Sequence, residues 1–406
     1  MVDSKRLSMK NYQSFMVGCY RQPSIVSRQL FLHLQALKLT NFKNYEAQTL
    51  MFSEHLNCFV GQNGVGKTNV LDAIYYLCMC KSHFKTSDRN IVRHGADFFR
   101  LEGNFVTRIT QEKPQVDKII AKVQPRKRKE FERNQATYER LSEHIGCFPI
   151  VMIAPDDTLM AMEGSEERRR FLDNTLCQLD NQYLTYLMHY NKVLAQRNKL
   201  LKQMAEARTF DEILVQSFDV QLLPSAKYIH QKRMEWMSNF EPIFKNYYGQ
   251  ISGEKESVKC IYQSKLTDTD FEKLLEESIE KDRILQRTTV GIHKDDLKFV
   301  FNDVAVKQFA SQGQLKSYIL ALKLAQYELL REQKGIAPIL LLDDIFDKLD
   351  ENRVQQLLEL LINKKSFGQI FITDTHENRV TEIVNKFNMK YQKFVVEYGK
   401  IDASGD

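Results

Sequence analysis

No apolar run in these 406 residues approaches the length a bilayer-spanning helix needs, so no membrane segment is expected. The seven cysteines (Cys19, Cys58, Cys78, Cys80, Cys147, Cys177, Cys260) include no CxxC pair and no disulfide-like spacing. An odd, scattered set of this kind reads as reduced thiols in a cytosol, which places the chain in the cytoplasm and argues against cysteine-held metal. Charge of neither sign dominates. Fifty-eight basic against 52 acidic residues leave +6, enough to permit a polyanionic partner without demanding one. The segment 155–290 lacks sustained heptads, which excludes a long coiled coil. No recognition helix, zinc finger or interleaved aromatic platform is legible. Residues 1–31 carry Lys5, Arg6, Lys10, Arg21 and Arg28 against the single acid Asp3. Their longest apolar patch, Phe15 to Tyr20, is too short for a signal-peptide core. They read as a disordered N-terminal extension, or as the product of a start codon placed too far upstream.

What the chain does have is GQNGVGKT, Gly61 to Thr68, which fits G-x-x-x-x-G-K-[ST]. A loop that wraps a triphosphate turns its backbone N–H groups inward, and glycine tolerates the positive φ angles this requires. Gly61, Gln62, Asn63, Gly64, Val65 and Gly66 supply that backbone. Lys67 can bridge the β- and γ-phosphates, and the Thr68 hydroxyl can ligate Mg²⁺. The flanks give the context: Leu56 to Val60 reads as a buried strand. Val70, Leu71, Ile74 and Leu77 repeat at helical spacing, and the helix they form points its positive end at the phosphates. The stretch is read as a nucleotide site.

The rest of that site is expected near the C-terminus. PILLLDD (338–344) is a short apolar run ending in two acids, suited to a central parallel strand buried on both faces. Asp343 at its end would hold Mg²⁺ and Asp344 would polarise the attacking water. Upstream, Ser311 and Gln314 form an S-x-x-Q capping box ahead of an amphipathic run to residue 330. Gly313 would leave that helix start open to an anion. A phosphate-binding helix start remote from the loop suggests an ATP site built from two surfaces.

The order of loop, Ser311-Gln312-Gly313-Gln314, acid pair, Asp347-Lys348-Leu349-Asp350, then a strand at 369–373 with His376 behind it, resembles the ATP-binding-cassette head. More than two hundred residues separate Thr68 from Ser311, too many for a transporter ATPase. Helical patterns at 183–207, 222–246 and 270–286, interrupted by Pro224, Pro242 and Gly249, make the gap a compact helical arm. From about Leu34 to Ile401 the chain resembles the RecF family of SMC-like ATPases, through LKLTNFKNYE (37–46), the 61–75 loop and helix, and SHFKTSDRNIVRHGAD (82–97). APDDTLMAMEGSEERRRFLD (154–173), TTVGIHKDDL (288–297), SQGQLKSYILALKLAQ (311–326) and LLLDDIFDKLDENR (340–353) continue the match. The family's usual Ser-Glu-Leu-Asp reads Asp347-Lys348-Leu349-Asp350 here. Its Gly and Pro near Arg168-Arg169 are Glu163 and Ser165, and Ile292 replaces a common proline.

The resemblance implies an α/β P-loop cassette head with a mixed sheet (32–154 and 288–406) and a mainly helical arm inserted at 155–287. It implies that two subunits sandwich MgATP, with the Ser311–Gln314 turn acting in trans and His376 contacting the γ-phosphate. A slow ATPase would act as a timer on a clamp that binds duplex DNA near single-strand gaps. Partners of the RecR and RecO type would help it load recombinase in recombinational repair, replication restart and SOS induction. The alternative is an ATPase that energises a transporter or a nuclease. Three basic groups are candidate DNA contacts: Lys192, Arg197, Lys199 and Lys202; Arg126 to Lys129; and Lys81, Lys85, Arg89 and Arg93. Contacts of this kind would go to phosphates and weaken steeply with salt.

Overall fold

The structure is a computed structural model that describes residues 30–109, 113–253, 256–345, 351–363, 367–376 and 391–404. Strands β1 (Leu30–Phe42), β2 (Tyr45–Met51) and β3 (Leu56–Val60) lead into helix α1 (Lys67–Met79). Strands β4 (Phe99–Ile109), β5 (Gln115–Val123), β6 (Glu130–Arg133), β7 (Ala136–Thr137) and β8 (Ile150–Ile153) follow. Next come the long helices α2 (Ser165–Leu179), α3 (Asn181–Glu206) and α4 (Glu212–Ser252), then β9 (Val258–Gln263) and α5 (Phe271–Leu285). The chain closes with β10 (Asp296–Phe301), β11 (Val304–Ala305), α6 (Gln312–Lys334), β12 (Ile339–Leu342), α7 (Glu351–Asn363), β13 (Ile370–Asp374), β14 (Tyr391–Glu397) and β15 (Lys400–Ser404).

Two six-stranded sheets enclose α1. One is antiparallel, in the order β2-β1-β4-β5-β6-β7. The other runs β15-β14-β3-β13-β12-β8, parallel except for β15. Residues of both sheets and of α1 share one apolar cluster, and 11 of the 13 residues of α1 are buried. A helix apolar on nearly every face belongs between layers rather than on a surface. β3 and β12 are buried along their whole length, as short continuous apolar runs in a covered parallel sheet should be. The mixed α/β head expected from the sequence is therefore present. β1 begins at Leu30 and pairs there with Ile109, so Leu30 and Phe31 belong to the sheet rather than to the extension.

The arm departs from expectation. Rather than breaking at its prolines, α4 runs 41 residues through both Pro224 and Pro242, about 60 Å at 1.5 Å per residue. Each proline frees the carbonyl four residues before it. Those carbonyls belong to Val220 and Ser238, both exposed, where water can accept the lost bond. Meanwhile the opposite face, including Leu222, Ile229, Trp236, Phe240 and Phe244, is buried and holds the helix together across each proline. α3 lies along α4 as the other half of a hairpin. β9 falls before the boundary drawn at 287, yet its partner β10, and β11 beyond it, fall after that boundary, so arm and C-terminal head share a three-stranded sheet.

Buried arginines clamp the arm. Arg197 on α3 donates through Nε to Asp219 of α4 at 2.5 Å, and through Nη1 to Asp282 of α5 at 2.7 Å and Thr288 at 3.0 Å. Arg233 on α4 joins Asp173 of α2, Asp295 and the Ile292 carbonyl at 2.7–2.8 Å. Two of the stretches that carry the family resemblance meet here, since Arg168 also pairs with Asp296.

Candidate nucleotide site

The site forms where β3, β13 and β12 end side by side, the edge of a parallel sheet at which ligands bind. After β3 the chain turns through Gly61 (φ 156°), Gly64 (φ 84°) and Gly66 (φ 118°). At Gly66 a side chain would also collide, because a Cβ would lie 2.4 Å from Asn44 Nδ2. α1 starts directly behind, with no side-chain cap and no acid in its first turn. Its leading N–H groups and the positive end of its dipole thus face the loop.

Lys67 is 3% exposed. Its ammonium donates to the Gly61 and Gln62 carbonyls at 2.8 and 3.1 Å and lies 3.9 Å from Asp344. The loop wraps the lysine with its own carbonyls and holds a positive charge inside the turn. The Thr68 hydroxyl donates to Asp343 at 2.9 Å. Two hard oxygen donors from residues 275 apart in sequence are therefore adjacent, the set Mg²⁺ prefers. Burial pushes the Asp343 carboxyl up to about 6; hydrogen bonds from Thr373 and Thr68 oppose the rise, the charge of Asp344 adds to it and Lys67 opposes it. A carboxylate so penalised for lack of solvent gains from a cation beside it. Asp344 adopts φ 42°, which turns its carboxyl out of the strand line toward Lys67. The donor set fits MgATP: backbone N–H groups and Lys67 for phosphates, Thr68 and Asp343 for the metal.

Some residues of this assembly were not picked out from the sequence. Asn44 Nδ2 donates to the Val65 carbonyl at 2.9 Å, and Tyr45 OH donates to the Gly66 carbonyl at 3.0 Å. Asn69 Nδ2 donates to Asn44 Oδ1 at 2.7 Å. The β1–β2 turn therefore props the loop from behind. The Thr373 hydroxyl donates to Asp343 Oδ1 at 2.9 Å and accepts from the Asp344 N–H at 2.8 Å, linking both acids to β13. The signal was local only in part: Asn44 and Tyr45 sit inside LKLTNFKNYE, but nothing in one sequence says what they touch.

The capping box forms as expected. Ser311 Oγ accepts from the Gln314 N–H at 3.2 Å and Gln314 Oε1 accepts from the Ser311 N–H at 2.8 Å. Gly313 is not simply open space, since a Cβ there would come within 2.2 Å of Arg353 Nη1. Among the described residues no hydrogen bond or ion pair joins 61–68 to 311–314, so within one chain the two candidate halves are not bonded to each other. His376 is exposed beyond β13, its N–H donating to Asp374 Oδ1 at 2.8 Å. Asp347 to Asp350 lie outside the described residues.

The basic groups fare unevenly. Arg197 is fully buried in its carboxylate cage and is no DNA contact. The expectation failed because acids 22 and 85 residues away supply its counter-charge. Lys85 pairs with Glu167, Arg93 with Glu46 at 3.0 Å and Lys129 with Asp88 at 3.1 Å. Lys192, Lys199, Lys202, Arg89, Arg126 and Lys127 remain exposed.

The family model for the RecF/RecN/SMC N-terminal domain matches residues 33–396. The DNA replication and repair protein RecF of Flavobacterium johnsoniae is 44% identical over 363 residues, 89% of this chain and 99% of that one. The chain belongs to the RecF family. RecF of Cytophaga hutchinsonii is 41% identical, covering 92% of this chain and 97% of its own. Among solved structures, the recombination mediator protein RecF-ATP of the RecFOR pathway superposes with a TM-score of 0.82 at 27% identity, over 95% of this chain and all of that one. The Smc head of Pyrococcus furiosus, at TM-score 0.54 and 17% identity, shares the fold. Membership of this SMC-like ATPase family carries ATPase activity with it. No helix among the described residues is long and apolar enough to cross a membrane.

Proposed function

We propose that this RecF-family protein is an ATP-dependent DNA clamp acting with RecR- and RecO-type partners in recombinational repair, in the cytoplasm. Family membership favours this over an ATPase that powers a transporter or a nuclease. The observation that carries the reading is the pairing of a complete phosphate and metal half-site, Gly61 to Thr68 with Asp343 and Asp344, with a separate capped turn at Ser311–Gln314. Among the described residues the capped turn has no bond to the half-site within its own chain.

In this reading the loop N–H groups and Lys67 hold the phosphates, while Thr68 and Asp343 hold Mg²⁺, which neutralises phosphate charge when bound. Asp344 accepts a proton from the attacking water, and His376 approaches from the end of β13. Ser311 to Gln314 meet the nucleotide held by a second subunit. Hydrolysis removes the shared ligand and opens the pair, so a slow turnover acts as a conformational switch. Residues 32–154 and 288–406 form the switching head, 155–287 the arm, and the exposed lysines of α3 are the basic surface offered to DNA.

The test is anisotropy of a labelled gapped duplex with MgATP or with MgADP, across a salt titration. Tighter binding with ATP and a steep negative slope of affinity with salt are expected. Equal binding in both nucleotides would remove ATP as the switch.

A further inference from the structure

The side chain that completes the capping box of α6 also reaches beyond it. While Gln314 Oε1 accepts from Ser311, its Nε2 donates to Glu256 Oε1 at 2.7 Å. The second oxygen of Glu256 accepts from Tyr248 OH, and Tyr248 is a buried residue near the end of α4. One carboxylate therefore ties the turn at the start of α6 to the long arm helix. The connection has a rigid backing: Tyr248 packs edge-on against Tyr318 of α6 and Phe301 of β10, with centroids 6.1 and 6.4 Å apart. Tyr318 in turn donates to the Lys259 carbonyl at 2.6 Å. Without the carboxylate, Gln314 would regain the rotamer freedom that a long polar side chain loses on ordering, and the turn would lose the fixed position of its N–H groups.

We propose that Glu256 is a positioning residue for the ATP-dependent pairing of two subunits. It fixes Gln314, and through it the Ser311–Gly313 turn, in the geometry that meets a partner's nucleotide, and it makes that geometry depend on the position of α4. This rests on the in-trans reading given above. Glu256 has no bond to residues 61–68 among the described residues, so nucleotide binding by a single subunit is independent of it.

The experiment is sedimentation equilibrium in MgATP for the full chain and for Glu256→Ala, Gln314→Ala, the double variant, Glu256→Gln and Ser311→Arg. A fluorescent ATP analogue is titrated onto each at a concentration where it is monomeric. Glu256→Ala and Gln314→Ala are each expected to weaken pairing about tenfold, the effect of losing a hydrogen bond to a charged group. The double variant should be no worse than the poorer single one, because the two residues act as one unit. Glu256→Gln should pair nearly as the unaltered chain does, since its amide can accept from Gln314 and donate to Tyr248 OH. Nucleotide affinity should be unchanged in Glu256→Ala and Glu256→Gln. Normal pairing by Glu256→Ala, additive losses in the double variant, or failure of Glu256→Gln to pair would each overturn the assignment. Normal pairing by Ser311→Arg would instead overturn the in-trans reading beneath it.

Discussion

Asp343 is the residue on which two opposed demands meet. Burial raises its carboxyl to about 6 from an ordinary 3.8, so the folded apoprotein holds a proton there that the unfolded chain releases. The stabilisation this gives is complete below about pH 3.8 and is lost as pH rises through about 6. Asp343→Asn should therefore melt higher than the unaltered apoprotein at pH 8, with the gap shrinking below pH 6, and it should lose the part of its nucleotide affinity that depends on Mg²⁺. A lower melting temperature at pH 8 would contradict this. Thr373 holds that carboxylate and the Asp344 backbone with a single hydroxyl. Thr373→Val should cost about 10–100-fold in apparent Mg²⁺ affinity and leave nucleotide binding in EDTA intact, as read from a magnesium titration. Asp344→Asn should bind ATP and fail to hydrolyse it, since it retains the position but not the proton acceptor. The lysine, threonine and glycines were legible because their chemistry is contiguous in sequence. Thr373, Asn44 and Tyr45 were not, because each acts on a partner brought near only by the sheet.

Elements repeat that lesson with more force. β3, α1 and β12 could be read from apolar run length and period alone, since a doubly covered strand needs nothing but continuous burial. α4 could not: proline is a strong local stop signal, and only the buried face running past Pro224 and Pro242 shows that packing wins. Arg197 misled for the same reason. An acid-free stretch looks like a basic surface until Asp219 and Asp282 arrive from other helices. Arg197→Ala should reduce stability by about 3–5 kcal/mol, because it leaves buried carboxylates without their partner, as measured by urea unfolding. Its DNA affinity at equal folded fraction should be unchanged. Lys199→Ala with Lys202→Ala should do the reverse, with near-normal stability and a shallower salt dependence of DNA binding.

For the whole molecule, three histidines from both parts of the head share one consequence. Burial lowers His83, His144 and His293 to about 4, below the ordinary 6.5, so each stays neutral in the fold at pH values where the unfolded chain is charged. Stability should fall as pH drops from about 6.5 toward 4, against the opposite and smaller pull of Asp343 alone. Melting curves from pH 7.5 to 5 check this. Among the described residues no bond joins the two proposed halves of the ATP site within one chain, and that is the basis for a two-subunit account. Light scattering in MgATP tests it with two variants, Lys67→Met and Ser311→Arg, separately and mixed. Each alone should remain monomeric, whereas the mixture should contain dimers. A mixed pair retains one site in which the intact loop of the Ser311→Arg subunit meets the intact turn of the Lys67→Met subunit. A mixture as monomeric as its components, or a Ser311→Arg chain that dimerises by itself, would contradict the account.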